Sequence, residues 1–203
     1  MKLYGAPKPA PNPRRVRMFL AEKGIDLPET PVDLGKREHK SADYRRMNSL
    51  GQVPTLLLDD GTAISETVAI CRYFEEIQPE PPLFGRTAVE KANVDMWVRR
   101  VEFQLMSPVG NFWRHAHPYT AALLTQFKEF GESNRAAYSS AQRWLDGELA
   151  DRDFIAGDAF SMADICALST VDFAHWIGLD IDAERTNLNA WHERIKARPS
   201  AAA

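Results

Sequence analysis

Residues 48–75 read NSLGQVPTLLLDDGTAISETVAICRYFE, which sets a turn, two short strands and the start of a helix in immediate succession. Leu56, Leu57 and Leu58 form an apolar run ended by Asp59, Asp60 and Gly61, and residues 62–65 resume a strand-like pattern. That pattern predicts a hairpin with Asp-Gly at its turn. Ser65, Glu66 and Thr67 then supply a cap and an acidic first turn, after which Ile70, Tyr73, Phe74 and Ile77 recur at helical spacing. A helix is expected to start where the second strand stops.

The Val53-Pro54 pair that opens this hairpin carries the chemistry. A proline at the first position of a strand gives up one amide donor and takes the cis form at a cost of only about 0.5–1 kcal/mol. A cis bond would turn the N–H and C=O of Val53 outward, toward an extended peptide. The helix N-terminus at Glu66 and Thr67 attracts a carboxylate. A small peptide bearing an α-carboxylate fits both features, and an ordinary trans edge proline beside an ordinary Ser65 cap fits the residues equally well.

Working outward, Lys2–Gly5 reads as a strand broken by the proline-rich loop 6–13, and Asn12 followed by Pro13 reads as an N-cap with proline at the first helical position. Val16, Phe19 and Leu20 give that helix an apolar face, and Gly24 ends it. Residues 30–34 are expected to form a second strand with Pro31 near its beginning, 35–40 a charged loop, and Ser41 the cap of a short helix through Met47. Residues 1–78 thus give the order β-α-β-α-β-β-α, for which a mixed thioredoxin-like sheet is the economical fold. The segment 79–87 holds prolines and a glycine and is expected to link this domain to the next. Residues 88–203 carry no strand pattern. Helical spacing runs through Val94, Trp97, Val98, Val101 and Leu105, then from about Thr120 to Leu149, with shorter helices near 161–177 and 187–197. Ser161-Met162-Ala163-Asp164 is a capping-box pattern, so Asp164 is expected to be structural. Residues 201–203 carry no signal.

The totals exclude several function classes. With 203 residues, 44% of them apolar, the chain can bury a real core. A formal charge of −3 gives no global attraction to nucleic acid or an anionic membrane. No apolar run approaches the roughly 20 residues of a membrane span. Cys71 and Cys166 lie far apart in apolar helical patterns, and no hydrophobic signal segment opens the chain, so a reducing, cytoplasmic setting is expected.

In the order QVPTL, hairpin, SET, VAI and RYFE, the chain closely resembles the glutathione-binding half of the glutathione transferases. Gly157-Asp158-Ala159-Phe160 ahead of Ser161 is similar to that family's folding motif, so the resemblance covers nearly the whole chain. It implies an α/β thioredoxin-like N-terminal domain plus an all-α C-terminal domain, and a homodimer involved in detoxification. Glutathione would be the co-substrate, no metal would be needed, and the helical domain would carry a hydrophobic electrophile.

The familiar classes ionise the thiol with a tyrosine, serine or cysteine in the loop after the first strand, because a free thiol with pKa near 8.5 is mostly protonated at neutral pH. Here the matching positions are Ala6 and Ala10, no Ser, Thr or Cys occurs between Met1 and Gly24, and Tyr4 falls within the strand. The remaining donor is Asn12, whose amide can donate to a thiolate at a helix start. APKPAPN resembles the APxPN loop of bacterial Nu-class transferases, two residues longer. Asn12 as a cap alone reads equally well. The resemblance assigns Glu66 and Thr67 to the γ-glutamyl end, Val53 beside Pro54 to the cysteinyl backbone, and His39, Lys40 and Gln52 to the glycyl carboxylate. Lys40 as a solvated charge is the plainer alternative. The electrophile is expected to meet the thiol between the domains, near Met106, Phe112, Trp113, His115 and His117, with Arg99, Arg100 and Glu102 supplying charge. Three functions follow: conjugation to an electrophile, glutathione-dependent disulfide or peroxide reduction, or a binding module that lost its activating group.

Overall fold

The computed structural model describes all 203 residues, which divide into two compact units: 1–83 with 199–203, and 84–198. The first unit is built on a four-stranded sheet of order β2-β1-β3-β4, with β1 at Lys2–Gly5, β2 at Glu29–Pro31, β3 at Thr55–Leu57 and β4 at Ala63–Ser65. β1 runs parallel to β2 and antiparallel to β3, so the sheet is mixed as the element order requires. Leu3, Val16, Phe19, Leu56, Ile70 and Phe74 are buried in its core, where α1 (Pro11–Lys23) and α3 (Thr67–Ile77) pack together.

Three local readings are corrected. Pro31 ends β2 rather than beginning it, and β2 is an edge strand, where a missing amide leaves no ladder bond unmade. α1 starts at Pro11 with Ala10 at the cap position and no side-chain cap, so Asn12 lies inside the first turn and caps nothing. Proline's fixed φ suits the first helical position, and Pro13 is tolerated because an amide there would have no intrahelical partner. At the start of α3 neither Ser65 nor Glu66 caps through its side chain, and Glu66 takes φ 70°. The remaining punctuation is as read: Gly24 ends α1 in the left-handed region, and the Ser41 hydroxyl accepts from the Tyr44 amide at 3.2 Å to cap α2 (Ala42–Met47).

Lys23 is buried at the end of α1. Its ammonium pairs with Glu75 at 2.5 Å and donates to the carbonyls of Gln78 at 2.8 Å and Pro81. A buried charge persists only with such partners. This one ties the end of α3 and the chain after it to α1.

The second unit is helical: α4 (Ala88–Arg100), α5 (Ser107–His115), α6 (Lys128–Glu148), α7 (Met162–Trp176) and α8 (Thr186–Lys196). Between α4 and α5, residues Val101–Met106 form a π-helical turn. Pro108 would clash with the Gln104 carbonyl in a regular helix, and the wider turn is the usual way to absorb such a residue. The long amphipathic stretch begins at Lys128 rather than Thr120. Residues 118–127 are held instead by Thr120, whose hydroxyl donates to the Trp113 carbonyl at 2.6 Å, and by Gln126, which donates to the His117 carbonyl at 2.9 Å. α7 is buried on most of its circumference. Its box is formed: Ser161 Oγ accepts from the Ala163 amide and Asp164 Oδ2 accepts from the Ser161 amide at 3.0 Å. No helix is long and apolar enough to cross a membrane.

Candidate functional site

Strand register explains which of the predicted residues come together. Thr55 pairs with Ser65 in the β3–β4 hairpin, so Val53-Pro54 just before β3 sits at the same sheet end as Glu66-Thr67 just after β4. Tyr4 pairs with Thr55 across β1–β3, so the loop leaving β1 emerges at that end too. Val53-Pro54 is cis, and Val53 stands outside the ladder. Tyr4 is in the strand, as read, and meets Tyr44 edge-on at 6.2 Å between ring centroids.

Behind Val53 lies a buried polar network with no counterpart in any local sequence pattern. The Gln52 carbonyl accepts from Tyr44 Oη at 2.8 Å and from Asn48 Nδ2 at 3.0 Å, and both donors also reach Thr55 Oγ1, at 3.0 and 3.1 Å. Tyr44, Asn48 and Thr55 are all buried. Fully satisfied networks of this kind rigidify the backbone they hold, and here they hold the peptide preceding Val53. Asn48 and Tyr44 lie 7 and 11 residues from Thr55, with no periodic pattern linking them. The Gln52 side chain itself is exposed.

Lys40 braces the same loop, its ammonium donating to the carbonyls of Leu50 at 3.1 Å and Gly51 at 2.6 Å. An ammonium has three donors, so this bracing is compatible with further contacts. His39 is half-buried and its Nδ1 is buried without a hydrogen-bond partner. Burial, then the nearby charges of Lys40, Arg37 and Arg45, hold its protonation below the ordinary imidazole range. Lys40, Arg37 and Arg45 thus place positive charge around the His39 ring. Gly51 takes φ 57°, and a Cβ there would lie 2.6 Å from the His39 carbonyl. Gly51→Ala therefore adds a backbone clash to a left-handed strain, and chemical denaturation is expected to show a loss of about 2–3 kcal/mol.

At the α1 start, prolines have removed amide donors. Of Ala10, Pro11, Asn12 and Pro13, the positions whose amides lack intrahelical partners, two are prolines, and the Ala10 amide donates to the Pro7 carbonyl at 3.2 Å. The Asn12 amide is left as the donor which that turn does not use, next to a half-buried side-chain amide of the same residue. At α3, the absence of a side-chain cap leaves the first-turn amides beside Thr67 open to an anion. Thr67 is buried and Glu66 is exposed.

In the helical unit the predicted aromatic and charged residues separate. Trp113 stacks on Tyr119 (5.4 Å), meets Phe173 edge-on (5.4 Å), and contacts His117 (4.7 Å) and Trp176 (5.5 Å). Tyr119 and Trp176 are half exposed or more, at 59% and 50%. Burial holds His117 protonation below the ordinary range, so its ring is neutral near pH 7. Phe112 is instead buried under Arg135, His115 packs on Phe127 and Phe130, and Arg99 pairs with Glu102 at 2.8 Å while Arg100 covers Trp97. The expected charge beside the aromatic group is thus spent along α4. Phe173 and Trp176 are separated from Trp113 by too much chain for periodicity to reveal.

A mixed four-stranded, thioredoxin-like unit and an all-helical unit define the architecture. The family model for the glutathione S-transferase N-terminal domain matches residues 10–77, and that for the C-terminal domain matches residues 118–199. The chain is 37% identical to glutathione S-transferase 2 of Saccharomyces cerevisiae over 204 residues, covering 98% of this chain and 87% of that protein. The crystal structure of Gtt2 from Saccharomyces cerevisiae superposes with a TM-score of 0.93 at 36% identity, covering 100% and 99% of the two chains. The structure of a class Gtt2 glutathione S-transferase of Vibrio parahaemolyticus gives 0.86 at 31% identity, covering 98% and 94%. The chain belongs to the glutathione S-transferase family.

Proposed function

We propose that the protein conjugates the thiol of glutathione to a hydrophobic electrophile. The observation that carries this reading is the gathering, at one end of the sheet, of the cis Val53-Pro54 edge, the uncapped start of α3 and the unused donors of Asn12. The Thr67 hydroxyl and first-turn amides take the γ-glutamyl carboxylate, and Glu66 accepts from its ammonium. Val53 pairs with the cysteinyl backbone, and His39, Lys40 and Gln52 face the glycyl carboxylate. Asn12 then donates to the sulfur, from its amide and side chain, in the positive field of α1. The neutral aromatic surface of Trp113, His117, Tyr119, Phe173 and Trp176 receives the apolar electrophile.

The test is a pH titration of glutathione ultraviolet thiolate absorbance on the protein. Ionisation of bound glutathione below neutral pH is expected, and Asn12→Ala is expected to raise the pH of half-ionisation by about 1, the value of one charge-assisted hydrogen bond. Binding without ionisation would remove the transferase reading and leave disulfide reduction between two glutathiones, which the lack of a loop serine, threonine or cysteine also allows. Absence of binding would remove both and leave an interaction module.

His39 supplies a second check. Its protonation is held down in the free protein, so an arriving carboxylate reverses the local charge and draws a proton onto the ring. Calorimetry at about pH 6 with S-methylglutathione, which has no thiol proton to release, in buffers of different ionisation enthalpy, is expected to show net proton uptake on binding, and His39→Asn to abolish it. Equal heats in all buffers would remove His39 from the carboxylate site.

We also propose a homodimer in a reducing, cytoplasmic setting, in which both buried cysteines stay as thiols. Val89, Met96 and Phe103 form an exposed apolar stripe at seven-residue spacing, beside a groove of about 420 Å³ lined by Phe103, Pro108, Ala141 and Trp144. Sedimentation at a single-chain mass of 22.9 kDa would overturn it.

A further inference from the structure

The last residues of the chain, silent in the sequence, return to the first unit. Pro199–Ala202 form a 3-10 turn packed on α1, with Ser200 and Ala201 buried. Three side chains fasten it: Arg14 donates to the Ala201 carbonyl at 2.8 Å, Lys8 donates to the Ala202 carbonyl, and the Ser200 hydroxyl donates to Glu22. Lys8 belongs to the loop between β1 and α1, and Arg14 to the turn that follows Asn12. The two cations therefore grip one short segment from either side of the asparagine.

From this geometry we infer that residues 199–203 are a clamp that fixes the loop 6–10 and the first turn of α1, making Lys8 and Arg14 positioning residues for the glutathione sulfur. The sulfur's place rests on the reading proposed above. The clamp's own reason is physical. A loop of alternating prolines has few amides with which to hold itself: within 6–13 only Ala6, Lys8, Ala10 and Asn12 have an N–H, and the Ala10 amide serves the one internal turn, to the Pro7 carbonyl. With so few internal bonds, an outside anchor sets where the loop stops. Lys8 and Arg14 supply it by bonding to main-chain carbonyls, which no substitution at Ala201 or Ala202 can remove.

The experiment compares the full chain with a deletion of residues 199–203, with Lys8→Met/Arg14→Leu, and with the charge-preserving Lys8→Arg/Arg14→Lys. Amide hydrogen exchange without glutathione is read at Ala10, whose amide is bonded to the Pro7 carbonyl, and at Arg15 and Val16, the bonded amides of the first turn of α1. Steady-state conjugation of glutathione to 1-chloro-2,4-dinitrobenzene is read alongside. Both the deletion and the Met/Leu pair are expected to speed exchange at those amides while leaving the β3–β4 hairpin unchanged. They are expected to lower kcat about tenfold with the KM for glutathione within about twofold, since a small misplacement at the reacting atom acts on turnover more than on binding. The Arg/Lys pair is expected to restore most of the turnover. Unchanged exchange at the loop would overturn the clamp, and faster exchange with unchanged kcat would overturn its part in the chemistry. A fall in KM affinity matching the fall in kcat would do the same. Glutathione binding by the unaltered protein is measured by calorimetry in parallel. Its absence would sink the transferase reading and the positioning role together, and the exchange result would still decide the clamp.

Discussion

Asp164→Ala is expected to destabilise the helical unit by about 4–5 kcal/mol, near the upper end for a single substitution. The carboxylate is fully buried and accepts four hydrogen bonds: from the Ile155 amide at 3.0 Å, Trp191 Nε1 at 2.9 Å, the Ser161 amide at 3.0 Å and the Ser161 hydroxyl at 3.2 Å. Burial pushes this carboxyl up while its donors pull it down. Alanine would leave three buried N–H donors without an acceptor, each costing about 1–3 kcal/mol, and would open a void beneath Trp191. It would also free the α7 N-terminus from the segment before it and from α8. Denaturant unfolding followed by tryptophan fluorescence checks the number. A loss under about 1.5 kcal/mol would mean that the box is ornamental and the core holds α7 by itself. Asp164→Asn, which keeps the shape and one acceptor, should fall between the two.

Glu66→Gly is expected to weaken glutathione binding by roughly 30- to 150-fold, the value of about 2–3 kcal/mol for a charge-assisted bond to an ammonium, while leaving the fold as stable as before or better. The separation of the two effects is the informative part. Glu66 takes φ 70° as a non-glycine residue at the start of α3, a conformation costing about 1–3 kcal/mol. Glycine removes that strain and returns about 0.5–1 kcal/mol through its looser unfolded chain. The net change in stability is therefore about zero to slightly favourable. Calorimetric binding paired with thermal unfolding measures both. Unaltered glutathione affinity in the variant would remove Glu66 from the ammonium site. A large loss of stability would mean that its side chain holds the hairpin end rather than a ligand.

Both sites lie where a local pattern could be read, which is why the fold was accessible from the chain alone. The 56–58 run, the Asp-Gly turn and the 70–77 periodicity each involve neighbours within one or two turns of chain, and β3, β4 and α3 follow them closely. Ser161 and Asp164 are three residues apart, and their box is a property of that spacing. Errors fell where two local signals competed. Asn12 before Pro13 is a sound cap pattern, but Pro11 is an equally sound first helical residue, and the earlier proline set the start. Thr120 onward has helical spacing, yet Thr120 spends its hydroxyl on the carbonyls of Trp113 and His117 and holds a short 3-10 helix, Pro118–Ala122, in place of the expected α-helix.

The sequence by itself determined the fold class, the β3–β4 hairpin, the helical periodicity of α3 and the family, because all of these rest on short-range patterns of polarity and turn residues. Tertiary structure decided the rest. It brought Tyr44, Asn48 and Thr55 behind Gln52, Phe173 and Trp176 onto Trp113, and Ala201 and Ala202 to Arg14 and Lys8. Such contacts join residues whose separation along the chain bears no relation to any helical or strand period, so only folding brings them together.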